Sequence, residues 1–208
     1  MTSSRQLRAW KNAPYSFFIE ECGGAGDCLF FVLAQGLTRT VGLDLKMDMI
    51  RVLLANSVDA TNIKTFVQAI AADQATHQLP GSVSFGPLNV WLQENESQAP
   101  QMIRHVKQII RKSGTGFQGT DEVLRWFVNH SEFFISRKVG FVVFSAFGPD
   151  FITKIDRPET ESYLLLYNAP NVHWQLANLL THDQTGYCSI TPLVWDSILQ
   201  ASKEFRVR

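Results

Sequence analysis

The chain has 208 residues, 45% hydrophobic and 18% charged, with 19 basic and 19 acidic side chains and a formal net charge of zero. That length suits one domain, or one domain with an inserted lobe, able to bury a sizeable core, and the composition argues against disorder. The neutral balance leaves no electrostatic footprint for nucleic acid or an anionic membrane, and no run reaches the roughly 18 apolar residues of a membrane span.

Residues 1–14 read as a polar lead-in; the first ten carry charges but lack the apolar centre of a signal peptide. Residues 15–19 are aromatic and extended, either a strand or the entry to the glycine loop that follows. There Gly23-Gly24-Ala25-Gly26-Asp27 runs up to Cys28, and an apolar stretch from Leu29 to Leu37 reads as a buried helix. A cysteine at a helix start feels the positive end of the dipole and unpaired backbone N–H groups, which favour its thiolate. A nucleophilic thiol beside an oxyanion site is one reading; a small buried hydrophobe under a tight turn is the other. The cysteines Cys22, Cys28 and Cys188 suit neither a disulfide framework nor a zinc site, so a reducing compartment, the cytosol, is expected.

Apolar spacing predicts helices over 44–58 and 62–72, with Met47, Ile50, Leu54 and Val58 in the first and Ile63, Phe66, Val67 and Ile70 in the second. Pro80, Gly81, Gly86 and Pro87 mark a loop. A helix from Pro100 has Met102, Ile103, Val106, Ile109 and Ile110 on its apolar side and Arg104, Lys107 and Arg111 on a solvated face. Residues 113–120 form a second glycine-rich segment, which is no phosphate loop because no Gly-Lys-Ser/Thr follows. It leads into a helix over 121–129 with an acidic first turn. Short β-branched or aromatic runs at 133–135, 140–144, 163–167 and 172–179 read as strands, and 193–199 as a final helix. Helices before residue 130 and strands after it give an α+β class with a mostly antiparallel sheet.

A cysteine nucleophile needs an imidazole that is remote in sequence. His77, His105, His130 and His182 each have an ordinary surface explanation. His173 differs, because it opens an apolar strand directly after the turn 168–171, where a rigid scaffold presents a side chain to a cleft.

The stretch Gly24-Ala25-Gly26-Asp27-Cys28-Leu29-Phe30 resembles the catalytic loop of the ovarian tumour (OTU) family of cysteine deubiquitinases, Gly-Asp-Gly-Asn/Ser-Cys-Leu-Phe and then a helix. Gly116-Phe117-Gln118-Gly119, a helix and Phe133-Phe134-Ile135 resemble that family's Gly-Trp-Gly segment, helix and strand. The strand Tyr163–Tyr167, a short loop and His173-Trp174 resemble its final strand pair. The matches occur in order over about residues 15–180. Two positions depart from the pattern: Ala25 stands where the family has aspartate, with Asp27 at an adjacent place. Gln175 stands two places after His173, where the family has Asp or Asn.

The resemblance implies one OTU-like, papain-like catalytic domain over 1–208, with a central mostly antiparallel sheet between a helical lobe and a helical arm at about 44–112. It implies a thiol-dependent hydrolase of isopeptide bonds at the C-terminus of ubiquitin or a ubiquitin-like protein, working as a monomer without metal or organic cofactor. Cys28 is then the nucleophile and His173 the base and acid. Gln175 orients the ring, with Asn171 as the alternative and Asp27 a further candidate. Backbone N–H groups of Ala25, Gly26 and Cys28 form the oxyanion site. An inactive ubiquitin-binding domain and another papain-like hydrolase, such as a polyprotein protease, are the competing readings.

Overall fold

In the computed structural model, the described residues are 5–6, 16–23, 26–77, 79, 81–95, 99–114, 116–145, 152–169, 173–180 and 185–206. Among them, strands Arg5–Gln6 (β1), Ser16–Glu20 (β2), Val139–Ser145 (β3), Ile152–Ile155 (β4), Ser162–Ala169 (β5), His173–Leu180 (β6), Gly186–Tyr187 (β7) and Ser189–Ile190 (β8) form one sheet. Its order is β1-β2-β6-β5-β3-β4, with β7 on β6 and β8 on β5. The sheet is mixed: β3 and β5 run parallel, and every other described pair is antiparallel.

The helices are Cys28–Val41 (α1), Met47–Asn56 (α2), Ile63–Thr76 (α3), Gly86–Glu94 (α4), Ala99–Arg111 (α5), Asp121–His130 (α6), Glu132–Arg137 (α7) and Pro192–Arg206 (α8). Side chains alternate across a strand, and the two faces of the sheet bury different cores. Leu164, Leu166, Trp174 and Leu176 join Leu29, Leu33 and Leu37 of α1 and the buried sides of α2 to α6. Tyr163, Leu165, Ala177 and Leu179 join Trp195 and Ile198 of α8. The fold is therefore α+β, a mixed sheet with a large helical layer on one face and one helix on the other. No described helix is long and apolar enough to cross a membrane.

Three expectations change. Residues 133–135 are not a strand but the middle of α7. Phe134 and Ile135 donate their N–H groups to Ser131 O, and Phe134 packs between Phe127 and Phe141, with ring centroids 4.7 and 5.5 Å away. Lys138, at φ 53°, then turns the chain into β3. The loop expected across Gly86 and Pro87 is the first turn of α4, where a proline sacrifices no intrahelical bond. The parallel β3–β5 pair was also not foreseen, because β4 returns the chain beside β3 before β5 begins.

Candidate active site

Cys28 is the first residue of α1 and is buried, 7% exposed. Gly26, at φ +81°, makes the turn into the helix, a conformation that costs glycine nothing. Asp27 occupies the N-cap position, yet its carboxylate makes no cap bond to the helix. It faces away, accepting from Arg51 Nε at 2.8 Å, from Arg51 Nη2, and from the Gly114 N–H at 2.6 Å. The start of α1 is thus left uncapped by its own aspartate, and the backbone N–H groups of Trp174, Leu29 and Cys28 favour a thiolate at the sulfur.

Burial outweighs them. It pushes the Cys28 thiol up from its ordinary value, and the nearby Glu21 charge adds to the rise. The expectation of a helix-lowered thiolate is corrected accordingly: the helix start contributes as foreseen, but the low-dielectric surroundings decide the sign. Cys22 is pushed further, to about 11, chiefly by burial; its sulfur lies 3.5 Å from Glu20 O.

The sulfur lies against the backbone of Trp174, the residue that follows His173, so the start of α1 packs against the start of β6. The His173 ring, 39% exposed, is held at Nε2 by Glu21, with Oε1 at 2.8 Å and Oε2 at 2.9 Å. Gln175 does not reach the ring as expected. Its Nε2 donates to Glu21 Oε2 at 2.6 Å, so it acts on the imidazole through the carboxylate. The Gly23 N–H gives Glu21 Oε1 a further bond at 3.3 Å. Burial raises the Glu21 pKa, but the bonds from His173, Gln175 and Gly23 outweigh it, and the carboxyl ends below its ordinary value.

The sheet explains this convergence. β2 and β6 pair antiparallel, with Ile19 opposite Ala177 and Glu20 opposite Leu176. One step further, the same register sets Glu21 against Gln175, and alternation puts His173 on that face too. The preceding Glu20 points the other way and ties β2 to α1, receiving Arg39 at 2.6 and 2.7 Å and Gln35 at 2.6 Å. Glu21 had no sequence motif around it. The signal that would have found it is the β2–β6 register, which no local pattern carries.

Asn171 and Ala25, named as the alternative orienting residue and an oxyanion donor, lie outside the described residues, as does His182. His77 caps α3 and pairs with Asp73 at 3.2 Å, while His130 stacks on Trp126 with ring centroids 3.9 Å apart. Both have structural partners of their own. Among the described residues no group of three or more His, Cys, Asp or Glu side chains is arranged to hold a metal.

A carboxylate on Nε2 fixes the ring tautomer with its hydrogen there and leaves Nδ1 as the basic nitrogen. No family model matches this sequence, and no curated protein matches it. Among solved structures, the chain is similar to the crystal structure of an OTU deubiquitinase from Wolbachia pipientis wMel. The identity is 14% and the TM-score 0.42, over 81% of this chain and 91% of that one.

Proposed function

We propose that this protein is a cysteine-dependent deubiquitinase, hydrolysing isopeptide bonds at the C-terminus of ubiquitin or a ubiquitin-like protein. The observation that carries the reading is the meeting of Cys28, at the start of α1, with the start of β6, where Glu21 holds the His173 imidazole. The order of the glycine loop, glycine segment and His-aromatic pair in the sequence supports the choice of substrate class.

In this reading His173 Nδ1 takes the Cys28 proton as the sulfur attacks the glycine carbonyl, forming the S–C bond. Glu21 stabilises the imidazolium that results, which a neutral glutamine would not do. Backbone N–H groups of Gly26 and Cys28 stabilise the oxyanion, at roughly 3–4 kcal/mol per donor in hydrolases of this kind. The C–N bond breaks as His173 gives the proton to the lysine amine, leaving a thioester. Water then attacks that carbonyl as His173 takes its proton; the C–S bond breaks, the ubiquitin carboxylate is released, and His173 returns the proton to the sulfur. Burial raises the Cys28 thiol, which makes a base beside the sulfur the more necessary.

The test is release of a fluorophore from a ubiquitin C-terminal amide, with lysine-linked diubiquitin alongside. Wild type and Cys22→Ser turn over both, while Cys28→Ala and His173→Ala do not. Unchanged turnover in Cys28→Ala contradicts the proposal.

A further inference from the structure

Arg51 is fully buried and takes no part in the chemistry described above. Its guanidinium stacks 4.1 Å from the Phe30 ring centroid and donates to Asp27, to Ile110 O at 2.7 Å, to Gly114 O at 3.3 Å and to Phe117 O at 2.9 Å. Three further contacts end on the same glycine-rich segment. Gly114 N–H donates to Asp27, the Trp174 indole Nε1–H donates to Gly119 O at 2.9 Å, and Gly119 packs against Leu29. A Cβ at Gly119 would stand 2.2 Å from Leu29 Cδ2 and 2.7 Å from Leu29 Cβ. Each contact falls on a chain neighbour of a reacting residue: Asp27 and Leu29 flank Cys28, and Trp174 follows His173.

We infer that Gly114, Phe117 and Gly119 form a clasp that sets the position of the Cys28 sulfur against the start of β6. Arg51 and Trp174 are its positioning residues, acting on Cys28 and His173 through Asp27, Leu29 and the Trp174 backbone. This rests on reading Cys28 and His173 as the reacting pair, but it concerns the geometry of the sulfur and not the substrate. The clasp draws its strength from where it lies. The Phe117 and Gly119 carbonyls are buried, so each must keep a donor, and the Arg51 guanidinium and the Trp174 indole N–H supply one each. The Trp174 indole bond to Gly119 also fixes the Trp174 peptide, whose N–H faces the sulfur.

The experiment is peptide-resolved alkylation of Cys28 by iodoacetamide across pH, in the full chain, with thermal melting of each variant. Trp174→Phe keeps the ring and removes the indole donor. It is expected to move the Cys28 midpoint up by about one unit, about tenfold in rate at pH 7. Gly119→Ala is expected to slow Cys28 alkylation to a similar degree, and Leu29→Ala in the same chain to restore more than half of the lost rate by making room. Ile198→Ala, a cavity on the far face of the sheet, lowers the melting temperature and leaves the midpoint in place. The inference is overturned if folded Trp174→Phe and Gly119→Ala keep the wild-type midpoint, or if Ile198→Ala moves it as far. Should Trp174→Phe fail to fold, the Gly119→Ala and Leu29→Ala pair decides. Because the reagent needs no ubiquitin, a wild type that fails to cleave ubiquitin while the midpoints move as described sinks the deubiquitinase reading alone.

Discussion

The carboxylate of Glu21 holds the imidazole of His173, Oε1 at 2.8 Å and Oε2 at 2.9 Å from Nε2, across 152 residues of chain. It puts a carboxylate on the ring, whereas the position two places after the histidine holds the neutral Gln175. Glu21→Ala is expected to lower kcat on a ubiquitin C-terminal substrate by about tenfold or more, a share of the roughly 10²–10⁴-fold that a positioned proton-transfer group supplies. Gln175→Ala lowers it less, because Gln175 reaches the ring only through that carboxylate. Steady-state kinetics of both variants check the order; a larger loss in Gln175→Ala contradicts it.

The same contact sets an acid limit. The Glu21 pKa lies below its ordinary value of 4.5 in the fold, so the support it gives the ring is present above that value and is lost as pH falls through the lower, folded one. The fold's contribution from Glu21 should survive to more acid pH than a free glutamate would allow. Chemical-shift titration of Glu21, with Gln175→Ala as the comparison, shows the midpoint moving back up when one donor is removed.

The cysteines set an alkaline limit. Burial raises Cys28, Cys188 and Cys22, the last to about 11, above the ordinary thiol value of 9.0. A group whose pKa is raised by folding stabilises the fold below its unfolded value and loses that contribution as pH rises through the folded one. Stability should fall as pH rises from about 9 toward 11. Urea melts at stepped pH check this, and Cys22→Ser removes part of the fall.

Asp27 and Arg51 form a buried ion pair, with side-chain exposures of 10% and 0%. Arg51→Met strands the Asp27 charge and leaves three carbonyls short of a donor, at a cost of about 3–5 kcal/mol. Asp27→Asn/Arg51→Met costs less than the sum of the single changes, because no lone charge remains. The shift of the urea midpoint at unchanged slope measures each.

Gly36 lies in α1 where the helix crosses β5 and β6. A Cβ there would stand 2.6 Å from Leu164 Cδ1 and 3.0 Å from Leu176 Cδ1, both on fully buried side chains. Alanine ordinarily gains up to about 1 kcal/mol over glycine in a helix. Here overpacking, at roughly 1–3 kcal/mol, exceeds that gain. Gly36→Ala should therefore lower the melting temperature.

What the sequence made legible were features with a local signature. Helical spacing of Ile50, Leu54 and Phe66 located α2 and α3, and the small residues before Cys28 located the start of α1. The apolar run that His173 opens located β6. Phe133–Ile135 misled because aromatic and β-branched runs suit strands, whereas here Phe134 is buried by neighbours from α6 and β3 that no local pattern foretells. Glu21 was illegible for the same reason, since its partner is chosen by the β2–β6 register. Asp27 was legible as a polar residue beside Cys28, but its role belongs to Arg51, 24 residues on.

The most direct measurement is covalent capture of the full chain by ubiquitin carrying a C-terminal electrophile, with the modified residue mapped by mass spectrometry. The account predicts one adduct, on Cys28, absent in Cys28→Ala and slowed in His173→Ala and Glu21→Ala. No adduct, or one on Cys22 or Cys188, contradicts it.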